Sequence, residues 1–482
     1  MNKKQNNISE SSNIKNFIIC GGGMSGLSLA FYLNRSEKLR NKRILIIEPE
    51  QKNKNDRTWA FWQQEENAFE NILFKKWNKV AFTSQEGEKM TLDLGKYHYK
   101  LLRGIDFYEF VLNDLKQNPN IEWLQDSVLK IEDEQDFAKV ITQSGKEFIA
   151  DFVFDSTFKP DLTNTKNHNL LQHFKGWVIE TKEPVFDVEL PDMMNFSVEQ
   201  KNDECRFIYV LPHTPTRALI EYTLFSEALL PEKEYDAELE NYIKKQLNIT
   251  DYQMLETEFG VIPMSDVAIQ EFPSLHLIRI GTAGGYTNPA TGYTFSNTQK
   301  KLKELVAWVE KYEENGEVRG ESGEWRGENG GKQSKMTSER SNVCSKTETS
   351  KQFKMTSERS NVCSKTEISK QFKMTSERSN VCSKTETSKQ FKMTSERSIL
   401  GIFWQKRHLL YASILLNVLQ KKRHLAADIF KQLYSKNAAA LIFSFLDGET
   451  TFIQEIKIMS TTPIKKFLVA TLDVIYKKIF YL

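Results

Sequence analysis

Gly21, Gly23 and Gly26, in F-I-I-C-G-G-G-M-S-G-L-S-L-A, keep the G-x-G-x-x-G interval between a short apolar run and an apolar helical pattern. In a strand, turn and helix of this kind, the first glycine makes the turn. The second lets the backbone approach a pyrophosphate, and the third lets helix and strand pack closely. The N–H groups that open the helix attract a diphosphate. A second apolar run, K-R-I-L-I-I-E, ends in Glu48, about twenty residues on, where a carboxylate can bind ribose hydroxyls. Far along the chain, Gly281, Gly284, Gly285 and Gly292 punctuate G-T-A-G-G-Y-T-N-P-A-T-G-Y, between a strand-like L-H-L-I-R-I and a helical pattern running from Phe295 towards Glu314. Such a loop can aim helix N-terminal amides at a cofactor, and two glycine-rich joints suit a long dinucleotide held from two sides.

Glu221 is the candidate acid. In R-A-L-I-E-Y-T-L-F, period-two alternation puts it on one face with Leu219, Thr223 and Phe225. If that face is buried, the carboxyl is poorly solvated and keeps its proton, as an acid catalyst requires; if it is exposed, Glu221 is merely solvated. D-R-T-W-A-F-W, from Asp56 to Trp62, reads equally as a core corner or as a binding wall, because aromatic residues favour burial in either case. Arg103-Gly104 stands just before a helical pattern, where a guanidinium could meet a diphosphate or carboxylate or serve as a solvated helix-start charge.

The elements that must position these residues predict an α/β protein with a Rossmann-like first domain. D-F-V-F-D-S reads as an apolar strand ending in Asp155, and strand ends in nucleotide-binding sheets face the ligand crevice. From about Leu170 to Phe272 strands dominate, interrupted by the helix-like Y-D-A-E-L-E-N-Y-I-K-K-Q-L, which predicts an inserted, mainly antiparallel sheet. From Ile399 the spacing is helical. The expected organisation is a polar tail (1–15), a nucleotide-binding part (16–165) returning at 276–315, a substrate-binding sheet region (166–275), an insertion (316–398) and a helical C-terminal region (399–482).

The insertion contains a nineteen-residue unit that begins at Lys335 and recurs at Lys354 and Lys373, with Ile368 for Thr, before starting again at Lys392. Its few, widely spaced apolar residues cannot offset chain entropy, so the segment is expected to be disordered. The net charge of +2 in 482 residues gives no general case for nucleic acid. Cys344, Cys363 and Cys382 sit in the repeats without C-x-x-C pairs or partner histidines, so no metal site is expected. Cys20 and Cys205 suit a reducing cytosol. No apolar run reads as a spanning helix or signal peptide. The last helix mixes Lys465, Lys466, Lys477 and Lys478 with apolar residues, which suits either a packed helix with a solvated face or one lying in a membrane interface. The expectation is a cytoplasmic protein in peripheral contact with the membrane.

These stretches together resemble the lycopene cyclase family, flavoproteins that close β-ionone rings on carotenoids. The motifs, in family order, include G-G-G-M-S-G-L-S-L-A, D-R-T-W-A-F-W, L-R-G-I-D-F-Y, A-L-I-E-Y-T-L-F, E-F-G-V-I-P-M, G-T-A-G-G-Y-T-N-P-A-T-G-Y and F-L-D-G-E-T. The resemblance implies an FAD-binding fold of the glutathione-reductase and hydroxylase type. It also implies lycopene as substrate, β-carotene as product through a one-ring intermediate, and reduced FAD with NAD(P)H as electron source but no net oxidation. It makes Glu221 the acid. Trp59, Phe61, Trp62 and Tyr222 would line the substrate pocket, and Arg57, Arg103 and Asp155 would join the glycines and Glu48 around the cofactor. Asn195 and Ser197 stand where the family pattern M-D-F-R has Asp and Arg; Thr157, Ala290 and Ala412 depart from it as well. A flavin hydroxylase or reductase acting on an isoprenoid would share the first fingerprint and sheet. A non-catalytic carotenoid- or flavin-binding protein would suit the departures.

Overall fold

The computed structural model describes residues 14–134, 136–164, 166–201, 204–322, 399–462 and 464–480. The readings made on the tail through residue 13 and on the insertion from residue 323 to 398 lie outside these residues; residues 316–322, expected to be disordered, continue a helix. Chain contacts divide the molecule into one unit of Met1–Glu310 with Arg397–Leu482 and another of Lys311–Glu396, of which only the helix end through Ser322 is described.

The chain opens with strand β1 (Ile14–Cys20), helix α1 (Met24–Arg35), β2 (Ile44–Ile47), β3 (Thr58–Gln63), β4 (Lys75–Trp77), β5 (Lys79–Thr83), β6 (Lys89–Asp93), β7 (His98–Arg103) and α2 (Gly104–Leu115). Four strands follow, β8 (Ile121–Leu124), β9 (Val128–Asp133), β10 (Ala138–Thr142) and β11 (Glu147–Asp155). Next come β12 (Asn169–Glu180), β13 (Asp192–Asn195), β14 (Cys205–Thr214), β15 (Arg217–Ser226), α3 (Glu232–Lys245), β16 (Gln253–Ser265), β17 (Leu277–Arg279) and α4 (Phe295–Ser322). The C-terminal helices are α5 (Ile399–Lys421), α6 (Ala426–Lys436), α7 (Ala439–Leu446), α8 (Phe452–Ser460) and α9 (Ile464–Phe480).

β1 and β2 are apolar runs with little exposure, the pattern of parallel strands covered on both faces. They lie in the order β8-β2-β1-β11, all parallel. The C-terminal half of β11 pairs in parallel with β17, so the chain returns to the first sheet beside Asp155. The N-terminal half of β11 pairs antiparallel with β10.

The second sheet runs β16-β12-β15-β14-β13-β5-β6 and is mainly antiparallel. Its membership corrects the expected continuity of residues 16–165. β5 and β6 leave the nucleotide-binding part to extend this sheet, and β3, β7 and β4 form a small third sheet. Alternation along β15 separates two environments. Ala218, Ile220, Tyr222 and Leu224 pack against Tyr235, Leu239 and Tyr242 of α3. Leu219 and Phe225 face a core shared with Trp62, Tyr209, Tyr434 and Phe443, to which α6 and α7 contribute. The architecture is thus α/β, with a Rossmann-like parallel core, an inserted antiparallel sheet and a helical C-terminal region.

Candidate active site

The first glycine turn has the local geometry of a diphosphate cradle. Gly21 adopts φ +96°, and a Cβ on Gly26 would sit 1.9 Å from the Gly21 carbonyl oxygen, so only glycine lets α1 pack against the turn. At Gly23 a Cβ would meet nothing within 4 Å, which leaves open space at the N-terminus of α1. α1 starts without a side-chain cap or an acidic residue in its first turn, so its opening amides can accept an anion. Glu48 is buried at the end of β2. Its Oε2 accepts the Gly22 amide at 2.6 Å and its Oε1 accepts the Glu50 amide at 3.1 Å, which pins the carboxylate beside the turn. These features fit a dinucleotide such as FAD.

The second glycine loop runs from this cradle to the acid. Gly281, at φ +63°, closes on Ser25 of α1, with 2.2 Å between a Cβ there and Ser25 Oγ. Gly284 and Gly285 border a large cavity, and Gly292, at φ +72°, borders the cavity that contains Glu221. One loop therefore borders the first glycine turn and both cavities. Asp155 ends β11 as expected but accepts from the Thr157 amide and hydroxyl at 2.7 and 2.6 Å, stabilising its own turn. Arg103 caps α2 and forms a two-pronged pair with Asp106, 2.7 Å at each contact, while stacking over Phe74. Of the partners read for this guanidinium, it meets a carboxylate, that of Asp106 in the first turn of α2. Arg57 is exposed, and its carbonyl accepts from the Gly104 amide at 2.7 Å.

Glu221 lines a cavity of about 100 Å³ together with Trp59, Tyr99, Phe174, Tyr209, Tyr293 and Phe295. Leu219 shares that wall and Thr223 donates to Glu221 at 2.8 Å, so the buried alternative for this face holds. Burial, reinforced by the charge of Glu258, raises the Glu221 carboxyl well above the usual range. Glu258 was not among the sequence candidates. Both glutamates register against Gly176 of β12, Glu221 from β15 and Glu258 from β16. Glu258 Oε2 accepts from Thr58 Oγ1 at 2.8 Å. Its Oε1, 3.4 Å from the place of a Gly176 Cβ, is buried and accepts from no fixed donor. Burial pushes Glu258 up to about 7. Two signals were available: Glu258 opens the E-F-G-V-I-P-M motif, and a glycine inside a strand often marks close approach. Which strands flank Gly176 is a matter of tertiary register.

The expected pocket wall is corrected in three places. Tyr222 faces away from the cavity, fully buried against α3, and its hydroxyl accepts from Arg206 at 3.0 Å; strand alternation puts neighbours on opposite faces. Phe61 stacks on Phe295 with centroids 4.3 Å apart, and Phe295, not Phe61, borders the cavity. Trp62 lies between Tyr293 and Phe443, 4.1 and 4.6 Å away, and its indole N–H donates to Asp447 at 2.8 Å. Of the three aromatics in the motif, Trp59 alone lines the cavity.

A second cavity, of about 850 Å³, shares Thr291 with the first. Its wall is largely apolar and includes Tyr434, Ile442, Phe445 and Leu446, with Asp447 among them. Burial, with a smaller effect of Glu449, pushes Asp447 up to about 7.

A parallel core with a glycine turn, joined to a carboxyl pair beside an aromatic cavity, defines an α/β protein with a Rossmann-like core. Residues 16–353 match the family described as lycopene cyclase protein, and the chain belongs to the lycopene cyclase family. One relative, the lycopene beta-cyclase of Paracoccus sp. (strain N81106 / MBIC 01143), is 33% identical over 129 residues. That match spans 26% of this chain and 32% of that protein, so about a third of the relative's length is covered. Among solved structures, a geranylgeranyl bacteriochlorophyll reductase-like protein from Thermoplasma acidophilum aligns with a TM-score of 0.49 at 14% identity, over 63% of this chain and 80% of that one. The p-nitrophenol 4-monooxygenase PnpA from Pseudomonas putida DLL-E4 aligns at 0.47 and 16%, over 62% and 81%.

Proposed function

We propose that this protein is a lycopene β-cyclase, closing the terminal ψ-ends of lycopene into β-ionone rings by acid catalysis, through a one-ring intermediate. The observation that carries the reading is Glu221 in a cavity walled by aromatic side chains, where burial raises its carboxyl well above the usual range. Protonating an alkene needs an acid that holds its proton until the apolar substrate arrives, and burial supplies that. The proton of Glu221 passes to the terminal alkene, and the next double bond closes on the resulting cation. A ring proton then returns to the carboxylate as the new double bond forms. The ring faces of Trp59, Phe174, Tyr209 and Phe295 stabilise positive charge and exclude water.

The cradle at Gly21, Gly23 and Gly26, with Glu48 and the 281–292 loop, would hold FAD, and NAD(P)H would reduce it. Reduced flavin, held there, would supply an electron-rich group able to stabilise positive charge. The larger cavity gives room for the polyene beyond the reacting end.

No helix among the described residues is long and apolar enough to cross a membrane. Ile453 on α8 and Val469 and Leu472 on α9 are nonetheless exposed, by 79%, 65% and 61%. Leu409, Ile456 and Leu468 are exposed as well, and they border the larger cavity. In this reading the C-terminal helices lie on the membrane surface and admit the carotenoid from it.

Expression in lycopene-accumulating cells tests the function. β-Carotene supports cyclisation, an oxygenated or reduced product favours the hydroxylase or reductase alternative, and unchanged lycopene overturns the catalytic reading.

A further inference from the structure

We infer that Glu258 is a positioning residue that must be protonated for Glu221 to act as the acid, so that the pair forms a built-in pH gate. The inference rests on the cyclase reading of Glu221. It starts from an arrangement that no single strand could supply. Glu221 and Glu258 stand on the two strands flanking β12, and both are in register with Gly176. The missing side chain at Gly176 lets the carboxyls approach over the strand, where each affects the protonation of the other. The Thr58 hydroxyl fixes Glu258 through Oε2 and leaves Oε1 over Gly176 with no other donor.

The chemistry decides which protonation state works. When Glu221 gives up its proton it becomes a buried carboxylate. A neighbouring ionised Glu258 would oppose that charge and make Glu221 a poorer acid. A protonated Glu258 instead donates a hydrogen bond from Oε1 to the new carboxylate and favours it. The proton leaving the ring returns to Glu221, so Glu258 is unchanged over the cycle and no oxidant or reductant is consumed.

The charged groups that act on Glu258 are few. Glu221 faces it across β12, Glu256 on its own strand raises it, and Arg57, preceding β3, lowers it. Burial outweighs these, which puts the ionisation near neutrality.

The test compares pH–rate profiles of parent, Glu258→Gln and Glu258→Ala with lycopene in detergent micelles. The parent should lose activity as the pH rises through about 7. Glu258→Gln keeps an acceptor for Thr58 and presents an amide donor that cannot ionise. It should lower the acid-side rate several-fold and displace the alkaline fall upward by about a pH unit or more. Glu258→Ala, without a donor, should lose roughly ten- to a hundred-fold. Should Glu258→Gln not fold, Thr58→Val removes the bond that favours ionised Glu258 and should move the parent's fall upward. An unmoved alkaline fall in Glu258→Gln or Thr58→Val, or a fully active Glu258→Ala, overturns the inference. Infrared difference titration of the isolated protein reads the pair without substrate. Because Asp447 also ionises near neutrality, the titration is run in an Asp447→Asn background. There, a protonated-carboxyl band that disappears near neutral pH and is absent once Glu258→Gln is added supports the pairing even if lycopene is not the substrate; its absence from the Asp447→Asn protein overturns the pairing whatever the substrate.

Discussion

Glu221 and Glu258, separated by 37 positions in the sequence (258 minus 221), meet across the bare backbone of Gly176, one from each strand that flanks β12. Glu258 is buried, Glu221 is half-buried at the wall of an aromatic cavity, and the surroundings raise both carboxyls above the usual range.

Glu221→Gln removes the transferable proton while keeping the shape and the bond from Thr223. Cyclisation should fall by roughly a hundred- to ten-thousand-fold, with flavin content unchanged. Product formation by the purified variant measures it, and a rate equal to the parent's would sink the assignment.

Gly176→Ala tests the close approach. A Cβ there would come within 2.9 Å of Leu219 Cδ1 and 3.1 Å of Glu258 Cγ. Overpacking of this kind should cost about 1–3 kcal/mol of stability and separate the carboxyls. Denaturant unfolding reads the first effect. The second should appear as an alkaline activity limb shifted to a different pH.

The two neighbouring glycines should respond differently. Gly26→Ala collides with the Gly21 carbonyl at 1.9 Å and is expected to unfold the turn. Gly23→Ala meets no protein atom within 4 Å, so the apoprotein should keep its stability while flavin affinity drops, roughly ten-fold or more. Flavin titration beside thermal unfolding separates these outcomes, and unchanged flavin affinity in Gly23→Ala would remove that face from the cofactor site.

Asp447 gives a pH dependence of stability. Burial pushes its carboxyl above the usual range, to about 7, so the fold favours the protonated form. Its contribution is complete below about pH 4 and is lost as the pH rises through about 7. Asp447→Asn keeps an acceptor for the Trp62 indole and cannot ionise. Relative to the parent, it should gain up to roughly 4 kcal/mol between about pH 4 and pH 8. Unfolding measured across that range checks the sign; a constant difference would contradict it.

For the membrane surface, Ile453→Asp combined with Leu472→Asp changes two exposed side chains and leaves the core intact. Co-sedimentation with anionic phospholipid vesicles should fall at least ten-fold, while the rate on micellar lycopene stays near the parent's. Equal sedimentation of parent and variant would remove these helices from the contact.

Local sequence determined what depends on neighbours along the chain. The glycine intervals made the turn before α1, apolar runs made the parallel strands β1 and β2, and period-two alternation set Glu221 beside Leu219 and opposite Tyr222. The same rule, followed through, excludes Tyr222 from the pocket. Tertiary structure decided everything that depends on which strands lie side by side. Only the β15-β12-β16 register brings Glu258 to Glu221, and only the packing of Phe295 and of α7 turns Phe61 and Trp62 into supports behind the cavity wall. The reason is physical. Turn geometry and alternation act over a few residues, whereas burial and carboxyl pairing arise from segments that the chain brings together only when its sheets assemble.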